Sequence, residues 1–262
     1  MIGPWATING TNLAMYSSAR GVYAGSGAER GIAALGGTAE SVIPNDESVS
    51  AVINTMGSEG PITLEAFWTN RVLEVRQATE YPSVVRMVQG VTNRTLQTSR
   101  ISIGAGKASV TVGENDNEGA LMSLSSGGIL TLENLNPTAT LSVKSAIPNN
   151  GGTASSLAKF GAGSVVLSGS NSYAGATMIN EGTLEFGGAL AQKLAGAISG
   201  AGTLVKSGTN QLQLLGANAS FTGPIYVNAG IIRPDQNSAF GSTASGTYIA
   251  NGATLDVGCD SA

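Results

Sequence analysis

The chain has 262 residues, one cysteine, no histidine and a net charge of −4. One cysteine excludes an internal disulfide, the absent histidine excludes Ser-His-Asp and Cys-His catalysis, and no basic patch is present for a nucleic-acid backbone. Glycine is abundant at 37 residues, charged residues make only 11%, and a hydrophobic share of 42% argues against disorder.

Residues 1–60 are the least periodic part. They read as irregular amino-terminal coils or a cap with a possible assembly surface, where Trp5, Tyr16 and Tyr23 cover the first coil, pack on another chain, or simply fill core or surface. From residue 61 onward apolar and polar residues alternate in short runs cut by Gly and Asn, at 61–68, 71–77, 84–90, 94–98, 100–104, 108–113, 120–135 and 139–147. Such runs predict strands joined by tight turns. Residues 148–156 (PNNGGTASS) fit a linker between domains or a loop bulging from one coil, and the loop is favoured because insertions map to the outside of a solenoid. No run of 18 apolar residues is present to cross a bilayer as a helix. Cys259 reads as an isolated thiol.

An internal repeat decides between a sandwich and a solenoid. Residues 159–186 (KFGAGSVVLSGSNSYAGATMINEGTLEF) return as 206–232 (KSGTNQLQLLGANASFTGPIYVNAGII). Lys159, Gly161, Leu167, Gly169 and Asn171 match Lys206, Gly208, Leu214, Gly216 and Asn218 at an offset of 47. After one inserted residue, Tyr173, Gly175, Ile179, Asn180 and Gly182 match Phe221, Gly223, Val227, Asn228 and Gly230, and Leu184 closes the first copy. A period of this size signals stacked units that share one core. The expected fold is all-β, a right-handed parallel β-helix of roughly 8–11 coils over residues 61–262. Halving the repeat gives about 24 residues per coil, so equivalent residues are expected over one another. Tyr173 and Phe221 would then stack, and Asn171, Asn180, Asn218 and Asn228 would bond along the stack.

These residues form the pattern Lys-x-Gly, Leu-x-Gly, Asn-x-Tyr-x-Gly, Asn-x-Gly-x-Leu, which resembles the autotransporter-associated β-strand repeat of bacterial surface proteins. The resemblance implies a passenger-type β-helix at the outer cell surface or outside the cell, with no catalytic residue or cofactor to carry over. Met1 is followed by IGPWATING with no export signal, which is reconciled with the resemblance if the chain is part of a longer protein.

Little chemistry competes with a structural role. Glu114, Asp116 and Glu118 in GENDNEG lack the full calcium-loop pattern and read as a solvated turn, as do Asp46 and Glu47. A carbohydrate-active β-helix would need charged residues at equivalent positions in neighbouring coils, yet Glu181 matches Ala229 and Glu185 matches Arg233. The turns at 161–164 and 200–203 open strands and are not phosphate loops. The expected function is non-enzymatic: a stalk or filament subunit that self-associates through its solenoid ends. The alternative is an adhesin module binding a glycan or host surface through one face, with Phe67, Trp68 and Tyr81 as candidates. A carbohydrate-active enzyme is the third reading.

Overall fold

The computed structural model describes the backbone of residues 6–8, 11–13, 16–18, 21–26, 29–34, 41–43, 52–55, 62–64, 69–77, 80, 82–89, 92–243 and 246–258. Side chains are described at residues 74–77, 80, 82–87, 92–243 and 246–258. Trp5, Asp46, Glu47, Phe67, Trp68, Tyr81 and Cys259 lie outside the described residues, as do the side chains of Tyr16 and Tyr23.

The alternation read from the sequence sets the strands. In Ser164–Leu167, Val165 and Leu167 are buried while Ser164 and Val166 stay half-buried, the two-residue period of a strand with one face on the core. Each such strand pairs in parallel with its counterpart in the next coil. Sheet one holds ten strands, all parallel: Ser41–Ile43, Ile62–Leu64, Ser83–Arg86, Val110–Val112, Thr140–Val143, Ser164–Leu167, Thr183–Phe186, Thr203–Lys206, Ile225–Val227 and Thr247–Ile249. Sheet two runs beside it through Thr69–Gln77, Thr95–Ile103, Ile129–Asn134, Ser156–Phe160, Thr177–Ile179 and Ile198–Ser199. Among the described residues, sheet three is formed in the later coils by Gln192–Leu194, Gln211–Leu214, Ile231–Pro234 and Thr254–Leu255.

The chain is thus a parallel β-helix. Its first strands depart from the parallel rule: Tyr16–Ser18, Gly21–Ser26 and Glu29–Ala34 pair antiparallel, and parallel pairing begins where Glu29–Ala34 meets Val52–Thr55.

Coil length differs from half the repeat and is not constant. Val165 lies beside Leu184, Leu184 beside Leu204, and Leu204 beside Ile225, so these three coils are all shorter than expected and each is slightly longer than the one before. Earlier, Val110 pairs with Leu141, a coil longer than expected. There residues 113–119 leave the coil as a loop, and Ala120–Ser123 adds an extra strand on Thr95–Ile103. The 148–156 segment is a loop held against its neighbours. The Asn149 side-chain oxygen accepts the amides of Ser155 and Ala174, both at 2.9 Å.

The repeat offset therefore spans two coils and part of a third. Lys159 lies in sheet two, whereas Lys206 lies in sheet one. The second repeat is advanced by one face, and equivalent residues do not sit over one another. Tyr173 and Phe221 are both buried but follow different sheets, Tyr173 after Ser164–Leu167 and Phe221 after Gln211–Leu214, so the expected aromatic stack does not form. Among the described residues, Tyr226 stacks on Tyr248, its registered neighbour in sheet one, with centroids 5.0 Å apart and planes 16° apart.

Inside, the aligned coils make columns. Val112, Val143, Leu167 and Phe186 form one, and Val110, Leu141, Val165, Leu184, Leu204 and Ile225 another, all buried. Each fully buried side chain of this size contributes about 1.5–3 kcal/mol.

Candidate functional site

The repeat residues converge on the corners where one coil meets the next. Lys159 is wholly buried in an apolar column, between Leu132 below and Ile179 above. Its Nζ donates to the carbonyls of Phe160 at 2.8 Å and Gly161 at 2.6 Å in its own coil, and to that of Glu181 at 3.1 Å in the next. Lys206 repeats this in sheet one, with Nζ donating to the Gly208 carbonyl and, at 3.3 Å, to that of Ala229. The asparagine amides complete the corner: Asn180 N donates to Lys159 O at 3.0 Å and Asn228 N to Lys206 O at 2.8 Å.

This explains why Glu181 can align with Ala229. The lysine uses the backbone carbonyl at that position, so the side chain is free to vary. Burial pushes the Lys159 ammonium down to about 8, against the opposing pull of Glu181 and Glu133, and burial also lowers Lys206.

Each repeat also stacks on itself. Lys159 pairs with Ile179 and Val165 with Leu184 inside the first copy; Lys206 pairs with Val227 and Leu212 with Ile232 inside the second. One repeat is therefore a coil and a half whose two ends are hydrogen-bonded together.

Glycine permits the close approach at the corners. A Cβ on Gly196 would collide with the carbonyl oxygen of Gly175, and one on Gly216 with that of Gly196. At Gly182, φ of +60° adds a backbone conformation that L side chains rarely adopt.

The asparagines divide. Asn218 links three coils: its Oδ1 accepts Ile198 N at 2.6 Å and its Nδ2 donates to Ala239 O at 2.6 Å. Asn171 Nδ2 donates to Gly169 O at 3.0 Å and to Gln192 Oε1 at 2.7 Å. Asn180 and Asn228 serve the corner through their backbone amides. Among the described residues the expected side-chain ladder is therefore restricted to Asn171 and Asn218.

The GENDNEG carboxylates point apart. Glu118 turns inward, its Oε1 accepting Met87 N at 2.7 Å; Asp116 accepts the Ser168 hydroxyl at 2.6 Å; Glu114 lies 3.4 Å from Arg86. The loop is a strap, with Asn117 accepting Ser170 N at 2.7 Å and donating its own amide to Lys144 O at 2.7 Å. Glu118 is thus a buried cap rather than a solvated turn residue. Among the described residues no group of three His, Cys, Asp or Glu is placed to hold a metal ion. No described helix is long and apolar enough to cross a membrane.

The sequence reading missed a charged groove on the outer face of sheet two. It is lined by Glu74, Arg76, Arg100, Ser102, Lys107 and Glu133, with a volume of about 340 Å³. Register aligns Glu74 with Arg100, and Arg76 with Ser102 and then Glu133. Arg76 donates to Glu74 at 2.9 Å, Ser102 Oγ donates to Glu74 at 2.6 Å, and Arg100 lies 3.5 Å from Glu133. Burial would raise the Glu74 carboxyl, but Ser102, Arg76 and Arg100 outweigh it and hold it below its ordinary value. The three strands carry their charges at outward positions of the same phase. Only the register between coils shows that they meet.

Together these corners define a β-helix assembled from repeats that stack on themselves through buried lysines. Residues 157–186 and 204–233 match the family of the passenger-associated-transport-repeat. The chain accordingly carries two autotransporter-associated repeats and is a passenger-type parallel β-helix. No curated protein and no solved structure matches it.

Proposed function

We propose that the chain is a non-enzymatic stalk or filament segment at the outer surface of a bacterium. The observation that carries this reading is the use made of the repeat. Its lysines and glycines serve the joint between coils, and none is spent on a cleft. The match to a passenger repeat family supports a place outside the cell.

Self-association through the solenoid ends is the assembly mode we assign. In its favour, Tyr248, Ile249, Leu255 and Val257 are exposed. Exposed apolar side chains favour contact with another surface, and a head-to-tail contact of that kind propagates. Residues 1–60 are assigned the opposite joining surface.

Negative-stain imaging across a concentration series tests this. Ten layers rising about 4.8 Å each give a rod of roughly 45 Å, so lengths should grow in steps of about that size. Single short rods at the highest concentration would overturn end-to-end assembly.

A further inference from the structure

We propose that the groove on sheet two binds a carboxylated oligosaccharide, an activity that goes beyond the stalk role and does not depend on it. Three cations, Arg76, Arg100 and Lys107, face two carboxylates, Glu74 and Glu133, leaving a local positive excess on a chain whose net charge is −4. The cations are available. The side chains of Arg76 and Arg100 are 51% and 48% exposed, and among the described residues Lys107 makes no side-chain hydrogen bond or ion pair.

The groove is also held in shape. Glu74, clamped by Ser102, fixes Arg76 from beneath. Asn136 donates to the Lys107 carbonyl at 2.7 Å and the Lys107 amide closes a turn onto Gly104 at 3.1 Å, so the wall carrying the ammonium is tied to the next coil. Preorganised donors lose less on binding than free ones.

One end of the groove is apolar. Leu135 lines it at 46% exposure, and Phe160, in register beside Glu133, is 40% exposed. An aromatic and an aliphatic group next to cations suit the mixed surface of an acidic sugar. The C–H face of a pyranose packs on Phe160 and Leu135, its carboxylate meets Lys107 and Arg100, and its hydroxyls donate to Glu133. The groove is too small for a protein interface.

Titration calorimetry on the full chain with tetramers of galacturonate, mannuronate and glucuronate, and with their methyl esters, tests this. At least one free acid should bind, its ester about tenfold more weakly, and added salt should weaken the acid alone. Lys107→Ala should reduce affinity about tenfold while leaving thermal unfolding and rod length unchanged, because the Lys107 side chain holds nothing else in place among the described residues. Absence of binding by all three acids at millimolar concentration would overturn the proposal. So would equal binding of acid and ester, or full affinity in Lys107→Ala.

Discussion

At position 159 the sequence places an ammonium inside a column of aliphatic side chains. The charge survives there because three carbonyls accept its hydrogen bonds, and the cost of burying it appears as a lowered proton affinity. The sign of the pH effect follows. Unfolded, Lys159 keeps its proton up to its ordinary value of 10.5, whereas folded it releases it near 8. The folded state binds fewer protons between these values, so Lys159 makes stability rise with pH across that window. Tyr173 acts oppositely. Burial raises its hydroxyl, only partly offset by the bond to Thr177, so stability falls above its ordinary value of 10.0. Urea unfolding should therefore show a gain on the order of 2 kcal/mol between pH 8 and 10, then a decline. Lys159→Met should shrink the gain to the share that the buried Lys206 contributes with the same sign, and keep the decline. An equal rise in that variant would assign the effect to another group.

Between elements, the corner glycines set the permitted distance from coil to coil. Gly196→Ala forces a methyl into the backbone of Gly175 and should cost about 2–3 kcal/mol. Gly152→Ala, at a loop position where a Cβ meets no atom within 4 Å, should be neutral or stabilise by up to about 1 kcal/mol. Paired thermal melts check the contrast, and similar losses at both sites would contradict it. The strands themselves were legible from alternation: residues 164–168 and 183–186 carry the period, and Ser164–Leu167 and Thr183–Phe186 are strands. Coil length was not. It depends on how many residues each corner loop holds, and the 113–119 strap lengthens one coil without changing the alternation on either side. The sheet-two groove was hidden for the same reason. Glu74, Arg100 and Glu133 are separated by loops of unequal length, and a fixed-offset search compares Glu181 with Ala229 instead. The corner lysines were legible as a recurring letter, but their role emerged only once Glu181 and Ala229 were seen to offer the same carbonyl.

Over the whole molecule, unequal coils still build one continuous core, because inward columns tolerate variation in the loops outside them. The same freedom advances the second repeat by one face, from sheets two and one to sheets one and three. Successive repeats in such an array present their outward residues in different directions. A recurring surface residue would then wind around the rod and not line one side.

Cysteine cross-linking tests this arrangement most directly. In a Cys259→Ser background, Val166→Cys with Glu185→Cys places thiols on registered outward neighbours of sheet one, within the roughly 4.4–6.8 Å Cα separation a disulfide requires. Val166→Cys with Leu190→Cys tests the alternative, a coil of half the repeat length. The self-stacking repeat predicts rapid oxidation of the 166/185 pair and none of the 166/190 pair. Preferential closure of 166/190 would mean that equivalent repeat positions stack after all.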